Sequence, residues 1–484
     1  MADCRMYIDG KWIGAKTSFE TINPTTEKVL ARFPKGNEKD VDRAVKAAQK
    51  AFKKWSKTPP PIRGQILFRV AELLRKNKKR LGRIVATEMG KVLPEALGDV
   101  QEAIDTFEYF GAEGRRLFGN TTTSELKDKF AMTIRRPVGV CGLVSPWNFP
   151  VAIPAWKLAP ALICGNTVVF KPSSDTPLCA HELVKILIEA GVPPSVVNFV
   201  TGSASDVGQA IVTHPEVECL SFTGSKDTGE WIVANAGLKK VGMELGGKNP
   251  IIVMDDADLE LAVEGILWGA FGTTGQRCTA CSRAIVHRKI KDRLLNALVE
   301  KAKKLRTGNP ILKTTDVGPL INENAVEKVE RYVEIGKDED GAKLLCGGEK
   351  PKGTGYFYRP TIFDDVEPDM RIAREEIFGP VLSVLEFERL DKAIEIANNI
   401  EYGLSSSIYT KNVNNAFKAI EGIDAGLTYI NSSTIGSEVH LPFGGVKKTG
   451  HTKEAGIMGL DEFSNVKTVY FDYSGKLQKA QIDD

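Results

Sequence analysis

The chain has 484 residues, a length that predicts two or three domains at roughly 150 residues each and a sizeable core. Its apolar fraction of 42% and charged fraction of 26% are ordinary for a globular protein. With 65 basic and 62 acidic residues the formal net charge is +3, which gives no electrostatic case for a nucleic acid or membrane partner.

The remaining bulk features favour a protein of the reducing cytoplasm. No apolar run approaches the roughly 20 residues that span a bilayer, and the first residues, MADCRMYIDGKW, lack the apolar core of a signal peptide. The eight cysteines are scattered and do not suggest a disulfide framework. Cys278 and Cys281 form a CxxC pair, which leaves a redox pair or half a zinc site open as alternatives. With five histidines in the chain and none near this pair, we expect no metal site.

The first third of the chain is predicted to be rich in helix. Apolar residues from Val41 to Trp55 recur at the i, i+3, i+4 and i+7 spacing of one helix face. Ile66–Leu81 and Val100–Phe110 repeat this pattern. We therefore expect three long helices before the first buried strand.

Short apolar runs then alternate with helical patterns, as in parallel βαβ units. The predicted strands of the first alternation are Val138–Val144, Thr167–Phe170, Val196–Val200 and Cys219–Phe222. The predicted helices between them are His181–Ala190, Asp206–His214 and Asp227–Ala236. A second alternation follows Cys278, with predicted strands at Ala284–His287, Val381–Phe387 and Leu427–Ile430. The sequence thus predicts an α/β fold with parallel sheets.

Polar and glycine residues follow three of these strands, where open α/β sheets bind their ligands. The segments are Ser145–Pro150, Lys171–Ser174 and Thr223–Ser225, and Gly229 lies one helical turn after the last of them. Glycine at a strand-to-helix turn lets a phosphate approach backbone N–H groups. One such turn is a weak signal, and the chain has no GxGxxG dinucleotide fingerprint.

A thiol and a carboxylate form the main candidate catalytic pair. Cys278 lies in the glycine-containing segment GTTGQRCTACSR, and Glu244 lies among glycines 34 positions earlier, with the predicted helix Leu259–Phe271 between them. The polar neighbours of Cys278 argue against a buried apolar role, and Arg277 is expected to favour its thiolate. Glu244 taken alone could equally be an ordinary surface carboxylate. Together the two could form an acyl intermediate and hydrolyse it.

Taken together, these segments resemble the aldehyde dehydrogenase superfamily over essentially the whole chain. The strings that carry the resemblance, in chain order, are PWNFP (146–150), AWKLAPAL (155–162), FKPS (170–173), FTGS (222–225), ELGGKNP (244–250), GQRC (275–278), EEIFGPV (375–381) and PFGGVKKTG (442–450).

The resemblance implies a role for each matching residue. Cys278 would be the nucleophile, Glu244 the general base and Asn148 the oxyanion-hole amide. Lys171 would bind ribose hydroxyls of the cofactor, and Glu376 and Phe378 would hold the nicotinamide ribose and ring. The full set of cofactor residues implied is Ser145, Trp147, Lys171, Ser173, Ser174, Gly202, Gly208, Thr223, Gly224, Ser225, Gly229, Glu376 and Phe378.

The same resemblance implies a domain plan and an oligomer. A Rossmann-like cofactor-binding domain would take residues 1–121 and 141–246, and an α/β catalytic domain residues 247–450. A small β oligomerisation element would join residues 122–140 to residues 451–484. The expected assembly is a homodimer or a homotetramer.

In the implied reaction the Cys278 thiolate attacks an aldehyde, hydride leaves for the nicotinamide, and Glu244 activates the water that hydrolyses the thioester. Many NAD-selective relatives carry a glutamate three residues after the lysine, where this chain has Ser174. A carboxylate would repel the 2′-phosphate of NADP, whereas a hydroxyl can donate to it. We therefore expect NAD or NADP as cofactor, with NADP accepted and its preference open.

The implied substrate is a semialdehyde, such as 2-oxoglutarate or succinate semialdehyde. Arg115 and Arg116 are similar to the arginine-containing stretch that semialdehyde dehydrogenases use for the distal carboxylate, although both could be interface residues. The second arginine of many succinate semialdehyde dehydrogenases is Gly272 here. Three alternatives remain: a broad-specificity aliphatic aldehyde dehydrogenase, a cysteine-dependent acyl hydrolase, and a non-catalytic structural member of the fold.

Overall fold

A computed structural model of the chain describes residues 2–482. The elements of its first half are β1 (Ala2–Asp3), β2 (Met6–Ile8), β3 (Lys11–Ile13), β4 (Ser18–Ile22), β5 (Val29–Pro34), α1 (Glu38–Trp55), α2 (Pro60–Glu88), α3 (Leu93–Glu113), β6 (Thr121–Thr123), β7 (Lys129–Pro137), β8 (Val140–Val144), α4 (Ala152–Cys164), β9 (Thr167–Lys171), α5 (Pro177–Glu189), β10 (Val197–Phe199), α6 (Gln209–Thr213), β11 (Cys219–Thr223), α7 (Lys226–Asn235) and β12 (Lys240–Glu244).

The second half is built in the same way. Its elements are β13 (Asn249–Val253), α8 (Leu259–Phe271), β14 (Cys281–His287), α9 (Lys291–Lys304), α10 (Glu323–Glu334), β15 (Lys343–Cys346), β16 (Thr361–Asp364), α11 (Arg371–Arg374), β17 (Val381–Phe387), α12 (Leu390–Asn398), β18 (Tyr402–Gly403), β19 (Ser405–Tyr409), α13 (Val413–Gly422), β20 (Leu427–Ile430), β21 (Val446–Lys447), α14 (Gly459–Glu462) and β22 (Ser464–Asp472).

The N-terminal region holds both the predicted helices and strands that were not predicted. Helices α1, α2 and α3 confirm the three helical patterns, and α1 begins with a capping box in which Asn37 and Asp40 satisfy each other's backbone N–H groups. The expectation of a helix-rich first third was incomplete, because β1–β5 precede α1. These strands have two to six residues each, too few for a period-two pattern to stand out.

The first large sheet has seven strands in the order β12-β11-β8-β9-β10-β2-β3. Strands β8 to β12 run parallel, and β2 and β3 complete one edge in antiparallel orientation. Val144 pairs with Lys171, and Thr223 pairs with Glu244. The carboxyl ends of four strands thus meet at one edge. The sequence did not predict β12, because its KVGME run has a single β-branched residue and a glycine.

The second large sheet also has seven strands, in the order β15-β16-β17-β14-β13-β19-β20, with only β15 antiparallel. Strands β14, β17 and β20 confirm the second predicted alternation. Helix α8 has the bounds predicted from the sequence and leads into the turn that carries Cys278. The mixed α/β architecture with parallel sheets confirms the predicted fold class.

A separate three-stranded antiparallel sheet, β22-β7-β6, joins the segment near residue 130 to the C-terminal strand. Val466, Tyr470 and Phe471 of β22 expose more than half of their surface. The domain boundaries drawn from the sequence, and an oligomerising role for this sheet, stay predictions. Across residues 2–482, no helix has the length and apolar character needed to cross a membrane.

Candidate active site

A cavity of about 260 Å³ opens at Cys278, between the two large sheets. Eight of the residues predicted from the sequence line it: Trp147, Asn148, Thr223, Gly224, Ser225, Cys278, Glu376 and Phe378. Six further lining residues were not predicted: Pro146, Leu245, Gly246, Ala325, Lys328 and Ile377. Leu245 and Gly246 follow Glu244 directly and could have been found from that motif. Ala325 and Lys328 lie on α10, which contains none of the sequence motifs that carry the family resemblance.

The turn before Cys278 has an unusual backbone. Thr273 and Thr274 adopt positive φ angles of 52° and 59°, a conformation that β-branched residues rarely take. The buried Glu95 carboxylate of α3 holds this turn, because it accepts hydrogen bonds from the Thr273 backbone N–H at 2.9 Å and from its hydroxyl at 2.8 Å. Asn249 holds the other side by donating to the Cys278 carbonyl at 2.7 Å. The turn that carries Cys278 is therefore anchored by β13 of the second sheet and by α3.

Asn148 lies at the carboxyl end of β8 and reaches this same turn. Its side-chain Nδ2 donates to the Gln276 carbonyl at 3.1 Å, two residues before Cys278. This bond fixes the amide next to the thiol and leaves its second N–H available. An amide so placed can stabilise an oxyanion formed at the carbon that Cys278 attacks.

Cys278 is a neutral thiol in this environment. Burial, followed by the nearby Glu244 and Glu376 carboxylates, raises its pKa to about 12. The expectation that Arg277 favours the thiolate was wrong. The Arg277 side chain turns away to Thr273 and Glu95, with Nε donating to the Thr273 hydroxyl at 2.8 Å.

Glu244 ends β12 and is almost fully buried, so the surface-carboxylate alternative was wrong. Neither of its side-chain oxygens has a hydrogen-bond partner among residues 2–482. Burial raises its pKa well above the usual range, and the Glu454 carboxylate adds to this, whereas Lys157 opposes it. A carboxyl group with these surroundings gains a proton readily and can act as a base once ionised.

A buried charge network behind Glu244 was not predicted from the sequence. Lys157 of α4 pairs with Glu454 and donates to the Ser221 hydroxyl at 2.9 Å. Glu462 of α14 is also buried, and its pKa is raised to about 7 by burial and by Glu454. These residues come from distant parts of the chain, so no local pattern could have revealed their contact. Their charges set the environment in which Glu244 ionises.

A second group of predicted residues lies at the carboxyl end of β9. Lys171 is buried, and burial lowers its pKa to about 8. A Cβ on Gly208 would lie 3.9 Å from the Lys171 side chain, and the Ser174 hydroxyl donates to the Gly202 carbonyl at 3.2 Å. Ser173 instead donates to Asp175 at 3.2 Å. Lys171 and the two glycines thus form one group, with Ser174 exposed at its rim.

The amino end of α7 provides a turn that suits a phosphate. The Ser225 hydroxyl caps the helix by accepting from the Thr228 N–H, and the first-turn N–H groups lie beside Gly224. A Cβ on Gly229 would come within 2.6 Å of Leu245, so a glycine is needed there for packing rather than for phosphate approach. Gly229 therefore shapes the helix position and does not touch the cavity.

The remaining predicted residues surround the part of the cavity near Cys278. The Trp147 and Phe378 rings meet edge to face at 5.4 Å, and the buried Glu376 carboxylate accepts from the Gly247 N–H at 2.9 Å. Burial raises the pKa of Glu376. The Ser145 and Thr223 hydroxyls are buried without a hydrogen-bond partner in the described chain. Unpaired donors, a glycine-lined helix end and a buried lysine fit a nicotinamide dinucleotide.

The two candidate substrate arginines lie outside this group. Arg115 and Arg116 are exposed in the turn after α3, and neither lines the cavity at Cys278. The Arg116 Nε donates to the buried Glu113 carboxylate at 3.0 Å. Their role as a carboxylate anchor stays a prediction.

Cys281 belongs to a different environment from Cys278. It begins β14, packs in the apolar core beside α8, and donates its thiol hydrogen to the Arg283 carbonyl at 3.6 Å. Cys278 packs instead beside Trp156 and Phe443. All eight cysteines are free thiols, and residues 2–482 contain no cluster of three or more His, Cys, Asp or Glu side chains that could hold a metal.

Comparison with known proteins agrees with this geometry. The model of the aldehyde dehydrogenase family matches residues 12–469. The α-ketoglutaric semialdehyde dehydrogenase of Bacillus subtilis is 41% identical over 96% of this chain and 97% of its own. A betaine aldehyde dehydrogenase of Brucella anthropi is 43% identical over 96% of each chain. The NAD⁺ complex of a Bacillus cereus aldehyde dehydrogenase superposes with a TM-score of 0.95 at 38% identity, covering 97% of both chains.

The family match, the fold and the convergence of Cys278 and Asn148 on one cavity agree with one another. The chain is therefore an oxidoreductase, and not an acyl hydrolase or a non-catalytic member of the fold. This chain belongs to the aldehyde dehydrogenase family, whose members oxidise aldehydes with NAD(P).

Proposed function

We propose that this protein oxidises a semialdehyde to the corresponding carboxylic acid through a thioester on Cys278. The observation that carries the proposal is the anchored Cys278 turn, with the Asn148 amide fixed beside it and Glu244 close enough to raise the pKa of the thiol. The B. subtilis semialdehyde enzyme, at 41% identity, supports the substrate class. A broad-specificity aliphatic aldehyde dehydrogenase is the second candidate, since betaine aldehyde dehydrogenases are equally similar.

In the proposed reaction the Cys278 thiol gives its proton to water, and its sulfur attacks the aldehyde carbon. The Asn148 amide and the Cys278 backbone N–H stabilise the resulting oxyanion. As the oxyanion collapses, the hydrogen on this carbon leaves as hydride, for which a bound nicotinamide cofactor would be the acceptor. The thioester that remains on Cys278 is hydrolysed by a water that Glu244 deprotonates, and the acid is released.

For the cofactor, we propose that both NAD and NADP bind, held by Lys171 and the first turn of α7, with Glu376 and Phe378 around the nicotinamide end. The NAD⁺ complex of the B. cereus relative supports dinucleotide binding. Ser174 is exposed and carries no charge, so a 2′-phosphate beside it meets no repelling carboxylate. NADP is therefore accepted.

For the assembly, we propose a homodimer or homotetramer built through the β22-β7-β6 sheet. Its exposed apolar residues on β22 support this surface as an interface. The free thiols of all eight cysteines support a reducing compartment, and we propose the cytoplasm.

The proposed function is tested by following cofactor reduction at 340 nm with a panel of aldehydes and with NAD or NADP. The panel contains 2-oxoglutarate semialdehyde, succinate semialdehyde, an uncharged aldehyde of similar length, and betaine aldehyde. We expect a semialdehyde to have the highest kcat/KM and Cys278→Ala to abolish turnover. Preference for the uncharged aldehyde would establish the broad-specificity enzyme instead.

The same assay tests the anchor predicted from the sequence. Arg115→Ala and Arg116→Ala should raise KM for the semialdehydes if either guanidinium holds the distal carboxylate, because an interaction present before and during reaction appears mainly in KM. Unchanged KM values in both variants would remove these two arginines from the substrate site.

A further inference from the structure

One face of helix α3 carries two buried carboxylates, Glu95 and Asp99, that the proposed reaction does not use. Their side chains expose 4% and 0% of their surface. They stand four positions apart, a spacing that places both on the same side of a helix. Neither lines the cavity at Cys278. Glu95 nevertheless contacts the turn before Cys278, and Asp99 contacts the segment after Asn148. The two carboxylates therefore reach the two halves of the candidate catalytic centre from one helix.

Glu95 holds the turn before Cys278 in a backbone conformation that the residues of this turn disfavour. Thr273 and Thr274 are β-branched and have positive φ angles, so the turn needs partners that keep it in place. The Glu95 carboxylate accepts hydrogen bonds from both the N–H and the hydroxyl of Thr273. The Thr274 hydroxyl donates to the Gly318 carbonyl at 2.9 Å. Loss of the Glu95 carboxylate would therefore let the chain that leads into Cys278 shift.

Asp99 has the corresponding position at the start of α4. It accepts hydrogen bonds from the backbone N–H groups of Val151 at 3.3 Å and Ala152 at 2.7 Å. Val151 is the N-cap of α4 and its side chain offers no acceptor, so Asp99 caps this helix from α3. The second oxygen of Asp99 pairs with the Lys91 ammonium at 3.1 Å, and both side chains are fully buried. The segment from Asn148 to the first turn of α4 is therefore tied to α3.

A hydrogen bond joins the turn before Cys278 to the segment that carries Asn148. The Asn148 Nδ2 donates to the Gln276 carbonyl at 3.1 Å, whereas its Oδ1 is buried without a hydrogen-bond partner among residues 2–482. The placement of this amide therefore depends on the backbone at both ends of the bond, and α3 supports both ends. Oxyanion stabilisation needs a donor within hydrogen-bonding distance, and a misplacement of about 1 Å can cost about 100-fold in rate.

We propose that α3 sets the distance between the Cys278 sulfur and the Asn148 amide, with Glu95 and Asp99 as positioning residues. Glu95 acts through the turn before the thiol, and Asp99 acts through the segment that carries the amide. This inference rests on the proposed aldehyde oxidation, in which attack by the thiol on a carbonyl carbon creates the oxyanion that the amide stabilises. Since neither residue lines the cavity, both affect the rate of attack and leave substrate binding unchanged.

The first experiment compares two reactions of Cys278 that need neither cofactor nor aldehyde. Attack on p-nitrophenyl acetate forms an oxyanion, expels p-nitrophenolate and leaves an acetyl thioester, whereas alkylation by iodoacetamide, followed on the Cys278 peptide by mass spectrometry, forms no oxyanion. We expect Glu95→Gln to slow p-nitrophenolate release about 10- to 100-fold through misplacement of the amide. It should leave alkylation within about twofold of wild type, because the thiol keeps its neighbours. An equal effect on both reactions, including no effect, would overturn the positioning role of Glu95.

Glu88→Gln is the matched control for this comparison. Glu88 is also a buried carboxylate that accepts from two backbone N–H groups and a threonine hydroxyl, but at the start of α5 rather than at the Cys278 turn. We expect this variant to lower thermal stability and to leave the ratio of the two reaction rates unchanged. A ratio that falls as far as in Glu95→Gln would show that any lost buried carboxylate has this effect, and would overturn the inference.

A double-mutant cycle with Asn148→Ala tests whether Glu95 acts through the amide. In the Asn148→Ala background the oxyanion has already lost this donor. We therefore expect Glu95→Gln to slow p-nitrophenolate release by less than about a further twofold there. Full additivity of the two substitutions would show that Glu95 acts independently of the amide, and would overturn the inference.

Asp99 is tested together with Lys91, because removing one partner would leave the other buried and unpaired. Lys91→Met with Asp99→Asn keeps an acceptor for the Ala152 N–H, whereas Lys91→Met with Asp99→Leu removes it in a side chain of similar size. We expect the Asn variant to keep the wild-type ratio of the two rates, and the Leu variant to slow p-nitrophenolate release about 10-fold relative to alkylation. Equal ratios in the two double variants would overturn the role of Asp99.

Steady-state kinetics with the aldehyde panel separate this inference from the function on which it rests. We expect Glu95→Gln to lower kcat for every aldehyde that is oxidised by about 10-fold or more, with KM within about twofold of wild type. If the wild-type protein oxidises no aldehyde, the proposed function fails, and the ratio of the two Cys278 reactions still decides the role of Glu95. If aldehydes are oxidised but the ratio is the same in Glu95→Gln and wild type, the inference alone fails.

Discussion

The two sides of Cys278 are built in contrasting ways. On the cofactor side the cavity is lined by consecutive short segments at strand ends, such as Thr223–Ser225 and the residues around Glu376. On the other side, Arg277 stacks on Phe149 and on Trp268 of α8, and its guanidinium lies 3.7 Å from Glu95 of α3. The cofactor side depends on backbone geometry, whereas the other side depends on side-chain charge and stacking.

Glu244→Gln gives the largest expected effect. It tests whether formation of the thioester on Cys278 can be separated from its hydrolysis. The variant keeps the shape of the carboxyl but cannot accept a proton, so we expect steady-state kcat to fall by about 10²- to 10⁴-fold. Hydride transfer should still occur once per active site. The measurement is a burst of reduced cofactor followed by slow turnover, with intact Glu244 as reference. Near wild-type turnover would remove Glu244 from thioester hydrolysis.

Alkylation of Cys278 by iodoacetamide tests the raised pKa of the thiol, which lies between the two sides. Because the pKa of the thiol is raised to about 12, only a small thiolate fraction exists near neutral pH, and this fraction grows with pH. We therefore expect the rate to rise about tenfold for each pH unit between pH 7 and 9. The measurement is the loss of free thiol at Cys278 over time, in enzyme without cofactor. A plateau below pH 8 would show that the thiolate is stabilised.

Ser174→Glu should have the smallest effect and bears only on the cofactor side. The new carboxylate would stand beside the 2′-phosphate of NADP, but at an exposed position solvent screens the repulsion. We expect a penalty of about 1 kcal/mol, or roughly fivefold in kcat/KM for NADP. The same variant assayed with NAD is the internal control. An equal change for both cofactors would mean that Ser174 does not discriminate between them.

Much of the candidate site could be predicted from the sequence, because its residues lie in short segments at strand ends. Asn148, Lys171, Thr223 and Glu244 each end or follow a parallel strand. Parallel strands align their carboxyl ends, so these residues meet once the strands pair in register. The sequence also predicted α8 with its observed bounds, because its apolar run is long and ends at a glycine.

The roles of Arg277 and of the charges behind Glu244 could not be predicted in this way. Arg277 was expected to favour the Cys278 thiolate, yet it points to Glu95, more than 180 positions away in the chain. Lys157 and Glu454 are separated by almost 300 residues and meet in the buried interior. Sequence periodicity indicates which residues are buried but not which buried residues contact each other.

The sequence by itself determined the α/β class, the order of the candidate catalytic residues and the family of this protein. The tertiary structure decided the direction of Arg277, the unusual backbone of Thr273 and Thr274, and the raised pKa values of Cys278 and Glu244. The physical reason is that strand and helix patterns arise from local backbone preferences. The pKa of a buried group and the direction of a charged side chain depend instead on desolvation and on partners that only folding brings within reach.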